Sequence, residues 1–242
     1  MQDIVKGTKV IILAGGVGSR LRGLVKDVPK PMAPVAGKPF LECLIMLLKK
    51  QGFVDFIISV GYLGDRIVSH FNDGSDFGVS IVYTKEEKLL GTAGALKLAE
   101  EYINSTFIFM NGDTYADMDY TDLISFHKLN RGVATVAMTK VESGDGYAKI
   151  VCDSDSRIVR YMEKDASSGE KWVSAGVYVM EPKFLNYIDR NKVASLERET
   201  IPRVLADNGI LYAYANESVF YDIGTPDSYQ RFVNIYSNER RT

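Results

Sequence analysis

Several features that would place a protein in a special class are scarce or missing in this 242-residue sequence. Only two cysteines occur, Cys43 and Cys152, which are too few for a structural zinc site or a disulfide framework. No run of about 18 apolar residues occurs and the N-terminus lacks a secretory signal, so we expect a cytoplasmic chain without a membrane span. Lysine and arginine number 29 against 31 aspartates and glutamates, and this balance excludes the basic surface of a nucleic-acid binder.

Apolar residues make up 46% of the chain and charged residues 25%, as in an ordinary globular protein. In the first half, short apolar runs typical of buried strands alternate with helical segments, which predicts a parallel sheet with right-handed crossovers. The second half is richer in strand-like runs. Because no repeat or linker interrupts the chain, we predict a single α/β domain over 1–242, with a Rossmann-like, mostly parallel central sheet and helices on both faces. Its nucleotide-binding half (about 1–130) is joined by a smaller, more antiparallel half (about 131–242).

The clearest motif directly follows the first predicted strand, Val10–Ala14, and has the sequence LAGGVGSRL from Leu13 to Leu21. Glycines at the carboxyl end of a parallel strand allow backbone N–H groups to approach a chain of phosphates. A dinucleotide fingerprint would need a third glycine where Leu21 stands, and a P-loop would need Gly-Lys-Ser/Thr, so both are excluded. We interpret the segment as a phosphate-binding turn with its own arginine. Its candidate nucleotide-binding residues are Leu13, Ala14, Gly15, Gly16, Gly18, Ser19 and Arg20.

The same segment resembles the opening signature of the sugar-1-phosphate nucleotidyltransferases, L-A-G-G-x-G-[ST]-R-L. The run PKPMAPVAGKPFL from Pro29 to Leu41 looks most like D-glycero-D-manno-heptose 1-phosphate guanylyltransferases. The resemblance covers nearly the whole chain and implies the nucleotide-diphospho-sugar transferase fold. The chain ends soon after its last predicted helix, so we expect no added β-helix or acyltransferase domain. The other matching segments are 90–96 (LGTAGAL), 111–113 (NGD), 163–164 (EK), 175–178 (AGVY), 195–198 (SLER) and 221–226 (YDIGTP).

The resemblance implies that a sugar 1-phosphate attacks the α-phosphorus of a nucleoside triphosphate and that pyrophosphate leaves. The resemblance to the heptose-type members implies GTP and a heptose 1-phosphate as substrates, with GDP-heptose for polysaccharide assembly as the product. Two anions must be brought together, so the site needs cations and in-line positioning. Arg20 would clamp the β- and γ-phosphates, and Lys30, held between two prolines, would lie near the reacting phosphates. Asp113 and Asp222 each end a predicted strand, and the family uses these aspartates to hold Mg²⁺.

Glu86 is the candidate for recognition of the base. Thymidylyl- and uridylyl-type relatives often carry a glutamine at the position of Glu86, a few residues before the glycine of segment 90–96. A carboxylate only accepts hydrogen bonds, and guanine offers two adjacent donors, whereas uracil and thymine have one donor flanked by acceptors. Glu86 therefore either favours GTP or is an ordinary loop charge. Thr92 is predicted to cap a helix that runs to Tyr102. The remaining nucleotide-binding candidates are Gly91, Thr92, Asn111 and Gly112.

The sugar side of the site is expected in the second half. By resemblance, Lys164 binds the sugar phosphate and Glu163 the sugar hydroxyls. Ser174 stands where many relatives have asparagine, and Gly146 stands where many have arginine, so the identity of the sugar stays open. Segment 195–198 is typical of heptose- and mannose-type members, and its charged residues are either sugar contacts or helix-surface residues. The sugar-phosphate candidates are Tyr147, Glu163, Lys164, Ser174, Ala175, Gly176, Glu197 and Arg198.

Other interpretations stay open at this point. The same chemistry could use UTP, CTP or dTTP with mannose, glucose or an N-acetylated sugar. A non-catalytic paralogue that binds a sugar nucleotide and regulates a partner should have lost the charged site residues, which are present here. A nicotinamide-dependent oxidoreductase would need the missing third glycine. His70 and His127 are expected to be packing or surface residues, and the apolar residues 40–48 form either core or a homo-oligomer interface.

Overall fold

The structure, a computed structural model, describes residues 2–18, 21, 25, 28–141, 147–162, 172–217 and 220–239. In these ranges a nine-stranded mixed sheet is accompanied by two sheets of two strands each. The strands are β1 Val10–Ala14, β2 Pro34–Val35, β3 Lys38–Pro39, β4 Asp55–Val60, β5 Ser80–Lys85, β6 Phe107–Asn111, β7 Thr114–Ala116, β8 Ala134–Lys140, β9 Lys149–Cys152, β10 Ile158–Met162, β11 Trp172–Met180, β12 Leu211–Asn216 and β13 Phe220–Asp222.

Helices lie between several of these strands, mainly in the first half of the chain. No helix of the described ranges is long and apolar enough to cross a membrane. The α-helices are α1 Gln2–Val5, α2 Phe40–Lys50, α3 Gly64–Phe71, α4 Gly91–Leu98, α5 Tyr120–Asn130, α6 Ile201–Ala206 and α7 Pro226–Glu239. Short 3-10 helices cover Lys30–Met32, Ser75–Phe77, Glu100–Tyr102 and Pro182–Tyr187, and a π-helical turn covers Leu196–Thr200.

The first half forms the parallel part of the sheet, as the alternation of strands and helices predicts. Strand β1 lies between β4 and β6 and is parallel to both, and β5 adds a further parallel strand beside β4. In this register Leu13 of β1 pairs with Asn111 of β6. The carboxyl ends of these strands therefore meet at one edge of the sheet, where α/β proteins bind their ligands.

The second half continues the same sheet with mostly antiparallel pairs, although β12 pairs with β8 in parallel. Strand β11 pairs with β8 along one edge. Along its other edge, β11 pairs with β6 through Val177–Met180 and with β9 through Val173. Strands β6 and β9 therefore diverge around Ala175 and Gly176, and this fork in the sheet leaves room for a cavity.

Alternating side chains of the strands supply the two faces of the sheet with separate cores. Ile12 of β1 packs in the core that also contains Leu44 of α2 and Ile67 of α3. Its neighbour Ile11 points the other way, into the core that contains Leu96 of α4. Helices thus cover both faces of the sheet, which confirms the predicted fold class.

A third core fixes helix α7 against the start of α2. Phe40 and Phe232 lie edge to face with ring centroids 5.2 Å apart, and Cys43 and Ile223 are buried in the same cluster. Most apolar residues of α2 up to Leu48 are fully buried within the chain itself. The apolar residues of 40–48 are therefore core, and Cys43 is the buried thiol that an apolar helical run indicates.

The predicted role of Thr92 as a helix cap is wrong. Helix α4 begins one residue earlier, at Gly91, and ends at Leu98, after which a 3-10 turn covers Glu100–Tyr102. The Thr92 hydroxyl donates instead to Glu197 Oε2 at 2.9 Å, a residue 105 positions further along the chain. The hydroxyl therefore binds a residue distant in sequence and does not cap the helix locally.

Candidate active site

The turn after β1, residues 15–18, lies where the motif predicts it, and two of its glycines, Gly15 and Gly18, are closely packed. Gly18 has φ +60°, and a Cβ at this position would lie 2.8 Å from Lys30 Cβ. Gly112, at the end of β6, donates its N–H to the Leu13 carbonyl at 2.8 Å, and a Cβ on Gly112 would overlap that oxygen. The backbones of β1 and β6 thus approach each other closely, and the stem of Lys30 lies against the turn.

Lys30 is held as its two flanking prolines suggest. Pro29 is extended (φ −68°, ψ 153°) and Pro31 lies in the following 3-10 turn, so the backbone that carries Lys30 is stiff. The Lys30 side chain is 11% exposed. Its ammonium nitrogen donates to Asp113 Oδ2 and lies 3.9 Å from Asp222 Oδ1. A cation is therefore placed between two carboxylates at the carboxyl edge of the sheet.

Asp113 and Asp222, the carboxylate pair, are brought together by a small ribbon that sequence analysis did not anticipate. Strand β7 follows Asp113 directly and pairs antiparallel with β13, with Asp222 opposite Thr114. The Ile223 N–H donates to the Asp113 carbonyl at 2.9 Å, and the Gly224 N–H donates to Asp222 Oδ1. Two residues 109 positions apart, by their numbers in the chain, are thus held side by side.

Two cavities meet at Asp113. The first, about 440 Å³, is bounded by the turn after β1, by Lys30 and by the start of α4. Its lining includes Leu13, Ala14, Gly15, Gly16, Gly18, Lys30, Glu86, Leu89, Gly91, Thr92, Asn111, Gly112 and Asp113. Every nucleotide-binding candidate of the described ranges therefore lies on this one cavity.

Glu86 forms part of the wall of the first cavity. Its Oε2 accepts from the Leu90 N–H at 3.2 Å, and a Cβ on Gly15 would lie 3.3 Å from its Oε1. The side chain thus packs against the glycine turn. Burial raises the pKa of the Glu86 carboxyl, and the Leu90 N–H partly offsets this shift. The ionised form of Glu86 therefore loses more solvation free energy than that of an exposed loop glutamate would.

The second cavity, about 320 Å³, lies in the fork between β6 and β9. Its wall is rich in hydroxyl groups and carboxylates, and it shares Asn111, Asp113 and Gly224 with the first cavity. Tyr147, Ser174, Ala175, Gly176 and Glu197 of the predicted sugar-phosphate set, together with Asp222, line this cavity.

Some predicted residues are not brought to either cavity. Arg198 is exposed and lines neither of them. Ser19, Arg20, Glu163 and Lys164 lie outside the described residues. The two histidines lie on neither cavity: His70 is exposed, with its ring edge to face against Phe71, and His127 is buried with its ring nitrogens on Thr135 and Glu181.

Several lining residues were missed by sequence reasoning. Tyr161 and Tyr178 line the second cavity with Phe220 and Ser228, and Leu89 lines the first. The tyrosines carry one usable signal, since Tyr178 lies at even spacing from Ser174 on a predicted strand and so belongs to the same face. Phe220 and Ser228 had no such signal, because only the pairing of β13 with β7 brings them near the fork.

Comparisons with known proteins agree with this geometry. The family model described as nucleotidyl transferase matches residues 9–239. The chain is 34% identical over 223 residues to the mannose-1-phosphate guanylyltransferase of Mycobacterium tuberculosis, covering 91% of this chain and 62% of that protein. It is also 34% identical over 251 residues to the UTP--glucose-1-phosphate uridylyltransferase of Synechocystis, covering 96% of this chain and 64% of that protein. The chain thus spans less than two thirds of these curated relatives.

Solved structures match over almost their full length. HddC from Yersinia pseudotuberculosis aligns with a TM-score of 0.84 and 31% identity, covering 95% of this chain and 99% of that chain. A crystal structure of the same protein complexed with GMP-PN aligns with a TM-score of 0.83. Since the family model covers nearly the whole sequence and the fold is shared with these structures, the chain belongs to the nucleotidyl transferase family.

Proposed function

We propose that this chain transfers a nucleoside monophosphate from a nucleoside triphosphate to a sugar 1-phosphate and releases pyrophosphate. The observation that carries this proposal is the meeting of two cavities at Asp113, whose carboxylate binds Lys30, while Lys30 also lies 3.9 Å from Asp222. The first cavity would hold the triphosphate along the glycine turn, and the second would hold the sugar phosphate. The halves of about 1–130 and 131–242 would then each supply one substrate site within a single domain.

In this mechanism the chain acts by placing charge and aligning the reactants. Backbone N–H groups of the glycine turn would face the triphosphate and fix its orientation. A charged side chain alone could not align the phosphates in this way. Lys30 would stabilise the negative charge that increases at the α-phosphate, since it is already held at the junction of the cavities. Arg20, by family resemblance, would clamp the β- and γ-phosphates. With the sugar phosphate opposite the leaving pyrophosphate, attack is in line and needs no covalent intermediate.

The carboxylate pair fits a magnesium ion. Asp113 and Asp222 approach one point closely enough for both to face Lys30, and they offer the hard oxygen donors that Mg²⁺ prefers. A Cβ on Gly224 would lie 2.5 Å from Asp222 Oδ1, so a glycine at this position keeps that oxygen accessible. In the described residues no group of three or more His, Cys, Asp or Glu forms a metal cluster, which suits an ion that takes its other ligands from phosphates and water. When bound, the ion would neutralise phosphate charge and assist departure of pyrophosphate.

For the base we propose guanine. Glu86 lies on the wall of the first cavity as a carboxylate, and it can accept from the two adjacent donors of guanine. Uracil and thymine would place acceptors against it. Support also comes from the relatives, because the Mycobacterium tuberculosis protein is named a guanylyltransferase and HddC has been crystallised with GMP-PN. The Synechocystis relative is named a uridylyltransferase, so UTP is the main competitor.

For the sugar we propose a heptose 1-phosphate. The motif PKPMAPVAGKPFL and the similarity to HddC over 99% of that chain support this choice. Mannose 1-phosphate is the competitor, because the Mycobacterium tuberculosis relative is named for it. Glu163 and Lys164 would complete this site on the sugar hydroxyls and phosphate, beside Tyr147 and the Ser174–Gly176 segment.

Pyrophosphate release tests the proposal. The chain is incubated with Mg²⁺ and each pair from GTP, UTP, CTP and dTTP with heptose, mannose, glucose and N-acetylglucosamine 1-phosphates. We expect the highest rate with GTP and the heptose 1-phosphate. A highest rate with another pair would keep the reaction and replace the substrate assignment. Absence of release with every pair, together with binding of a sugar nucleotide, would favour a regulatory paralogue.

A further inference from the structure

Glu197 connects the two cavities through side chains. It is the second residue of the π-helical turn Leu196–Thr200, which Ser195 caps, and it lines the second cavity. Its Oε2 accepts from Thr92 Oγ1 at 2.9 Å and from Ser195 Oγ at 3.2 Å. Its Oε1 accepts from the Tyr178 hydroxyl at 3.4 Å. Three hydroxyl groups from three segments of the chain thus converge on one carboxylate.

Thr92 is the member of this set that belongs to the first cavity. Its hydroxyl donates to Glu197 and at the same time accepts from the Leu196 N–H at 2.7 Å. The backbone makes a second link, since the Ala93 N–H donates to the Ala194 carbonyl at 3.0 Å. The start of α4 and the turn that carries Glu197 are therefore fixed to each other.

The carboxylate sets the direction of the hydrogen bonds along the wall of the second cavity. Because a carboxylate only accepts, the Tyr178 hydroxyl donates its single proton to Glu197, and the Tyr161 hydroxyl, 3.4 Å from that of Tyr178, is then left to donate to it. The Ser174 hydroxyl, 3.3 Å from that of Tyr178, must then donate to Tyr178. Ser174 Oγ also accepts from the Gly176 N–H at 3.2 Å, so its orientation is fixed at both ends.

We propose that Glu197 is a positioning residue, held by Thr92 from the first cavity, which orients the Tyr178 and Ser174 hydroxyls to receive the sugar 1-phosphate in the second. The inference rests on the proposed function for the identity of the two substrates. It predicts that a change in the first cavity affects binding in the second. Removing the Thr92 hydroxyl, which lies on the nucleotide cavity, weakens the use of the sugar 1-phosphate more than the use of the nucleotide.

The test compares Thr92→Val with Thr92→Ser. Valine keeps the shape of threonine and removes the hydroxyl, whereas serine keeps the hydroxyl and removes a methyl group. A second pair compares Glu197→Gln with Glu199→Gln. Glu199 is an exposed glutamate of the same turn that accepts from the Ser195 N–H at 2.9 Å, and a glutamine oxygen can still accept there. Both KM values are measured with GTP and mannose 1-phosphate, and again with GTP and the heptose 1-phosphate. Calorimetric binding of each sugar 1-phosphate alone is measured in parallel.

We expect T92V and E197Q to raise the KM and the Kd of the sugar 1-phosphate about tenfold, the effect of losing one hydrogen bond to a charged group. The KM for GTP should change less than about threefold, T92S should retain most of the sugar affinity that T92V loses, and E199Q should behave as the wild type. An equal rise in both KM values, or no change in either, would overturn the inference. If the wild type turns over these substrates and T92V retains its sugar affinity, only the positioning role fails. If the wild type binds GTP but neither sugar 1-phosphate, the proposed function and this inference fail together.

Discussion

The two cavities that meet at Asp113 are built from different parts of the chain. The first is lined by many glycines, including those of the turn after β1 and Gly112, so backbone groups form much of its wall. The second is made of side chains, with Tyr161, Ser174, Tyr178 and Glu197 in its wall. Backbone groups suit the feature common to all nucleoside triphosphates, which is the phosphate chain, and they tolerate few substitutions. Side chains can be exchanged one at a time, so a change of sugar needs no change of fold.

Asp113 of the carboxylate pair lines both cavities, and its loss should have the largest effect. In Asp113→Asn one oxygen donor of the proposed magnesium site becomes an amide, and the partner charge of Lys30 is lost. We expect kcat to fall by about 10²–10³ or more, while binding of GTP and of the sugar 1-phosphate without metal is largely retained. Steady-state kinetics and calorimetry measure the two effects separately.

Asp117→Asn is the matched control, because Asp117 is an exposed aspartate four positions after Asp113, by their numbers in the chain. Its activity should equal that of the wild type. Retention of wild-type kcat in D113N would remove the metal assignment and with it the shared chemistry of the two cavities.

The next effect is confined to the first cavity. In Gly18→Ala the new Cβ would lie 2.8 Å from Lys30 Cβ, at a position with φ +60°. The turn and the Lys30 stem must then separate, and a small displacement of a catalytic group is enough to lower kcat by about 10²-fold. Gly37→Ala is the matched control, because Gly37 also has a positive φ (+81°) and a Cβ there has nothing within 4 Å, but Gly37 lines neither cavity.

Kinetics and melting temperature of both glycine variants check this expectation. A similar loss of kcat in G37A would mean that strain at a positive φ is enough to lower activity, and that contact with Lys30 is not the cause. A fall in melting temperature of G18A without loss of kcat would show that the close approach serves stability alone.

The same contrast explains how much could be predicted. Most residues that line the first cavity could be predicted, because the segment Leu13–Leu21 is contiguous and its glycines indicate a close approach of backbone. The parallel strand order followed from the alternation of strands and helices. The second cavity was predicted in part, because its residues come from distant segments that the fork between β6 and β9 brings together. Thr92 shows the limit, since its local sequence indicates a helix cap and its tertiary partner Glu197 takes the hydroxyl.

Base recognition should show a moderate effect, again in the first cavity. Glu86→Gln replaces an acceptor by an amide that also donates, so the preference for GTP over UTP should fall about tenfold. The pH dependence gives an independent readout. Because burial raises the pKa of Glu86, the carboxylate is lost on acidification at a higher pH than for an ordinary glutamate.

The ratio of GTP to UTP affinity should therefore fall as the pH falls through this raised pKa, and the ratio cancels the titration of the triphosphate itself. In E86Q the ratio should be independent of pH over the same range. An unchanged preference in E86Q at neutral pH would show that Glu86 is a wall residue without a role in base selection.

The smallest effect is expected in the second cavity. Ser174→Ala removes one hydroxyl from a set of several, and we expect the KM for the sugar 1-phosphate to rise by about two- to fivefold with the KM for GTP unchanged. Tyr178→Phe keeps the buried ring beside Phe109, whose centroid is 5.9 Å away, and removes only the hydroxyl that orients Ser174. If Ser174 acts through Tyr178, the effects of the two variants on KM are not additive, and S174A adds little once Tyr178 is phenylalanine. Additive effects would mean that each hydroxyl meets the sugar independently, and the wall of the second cavity would then be a set of separate contacts instead of an oriented chain.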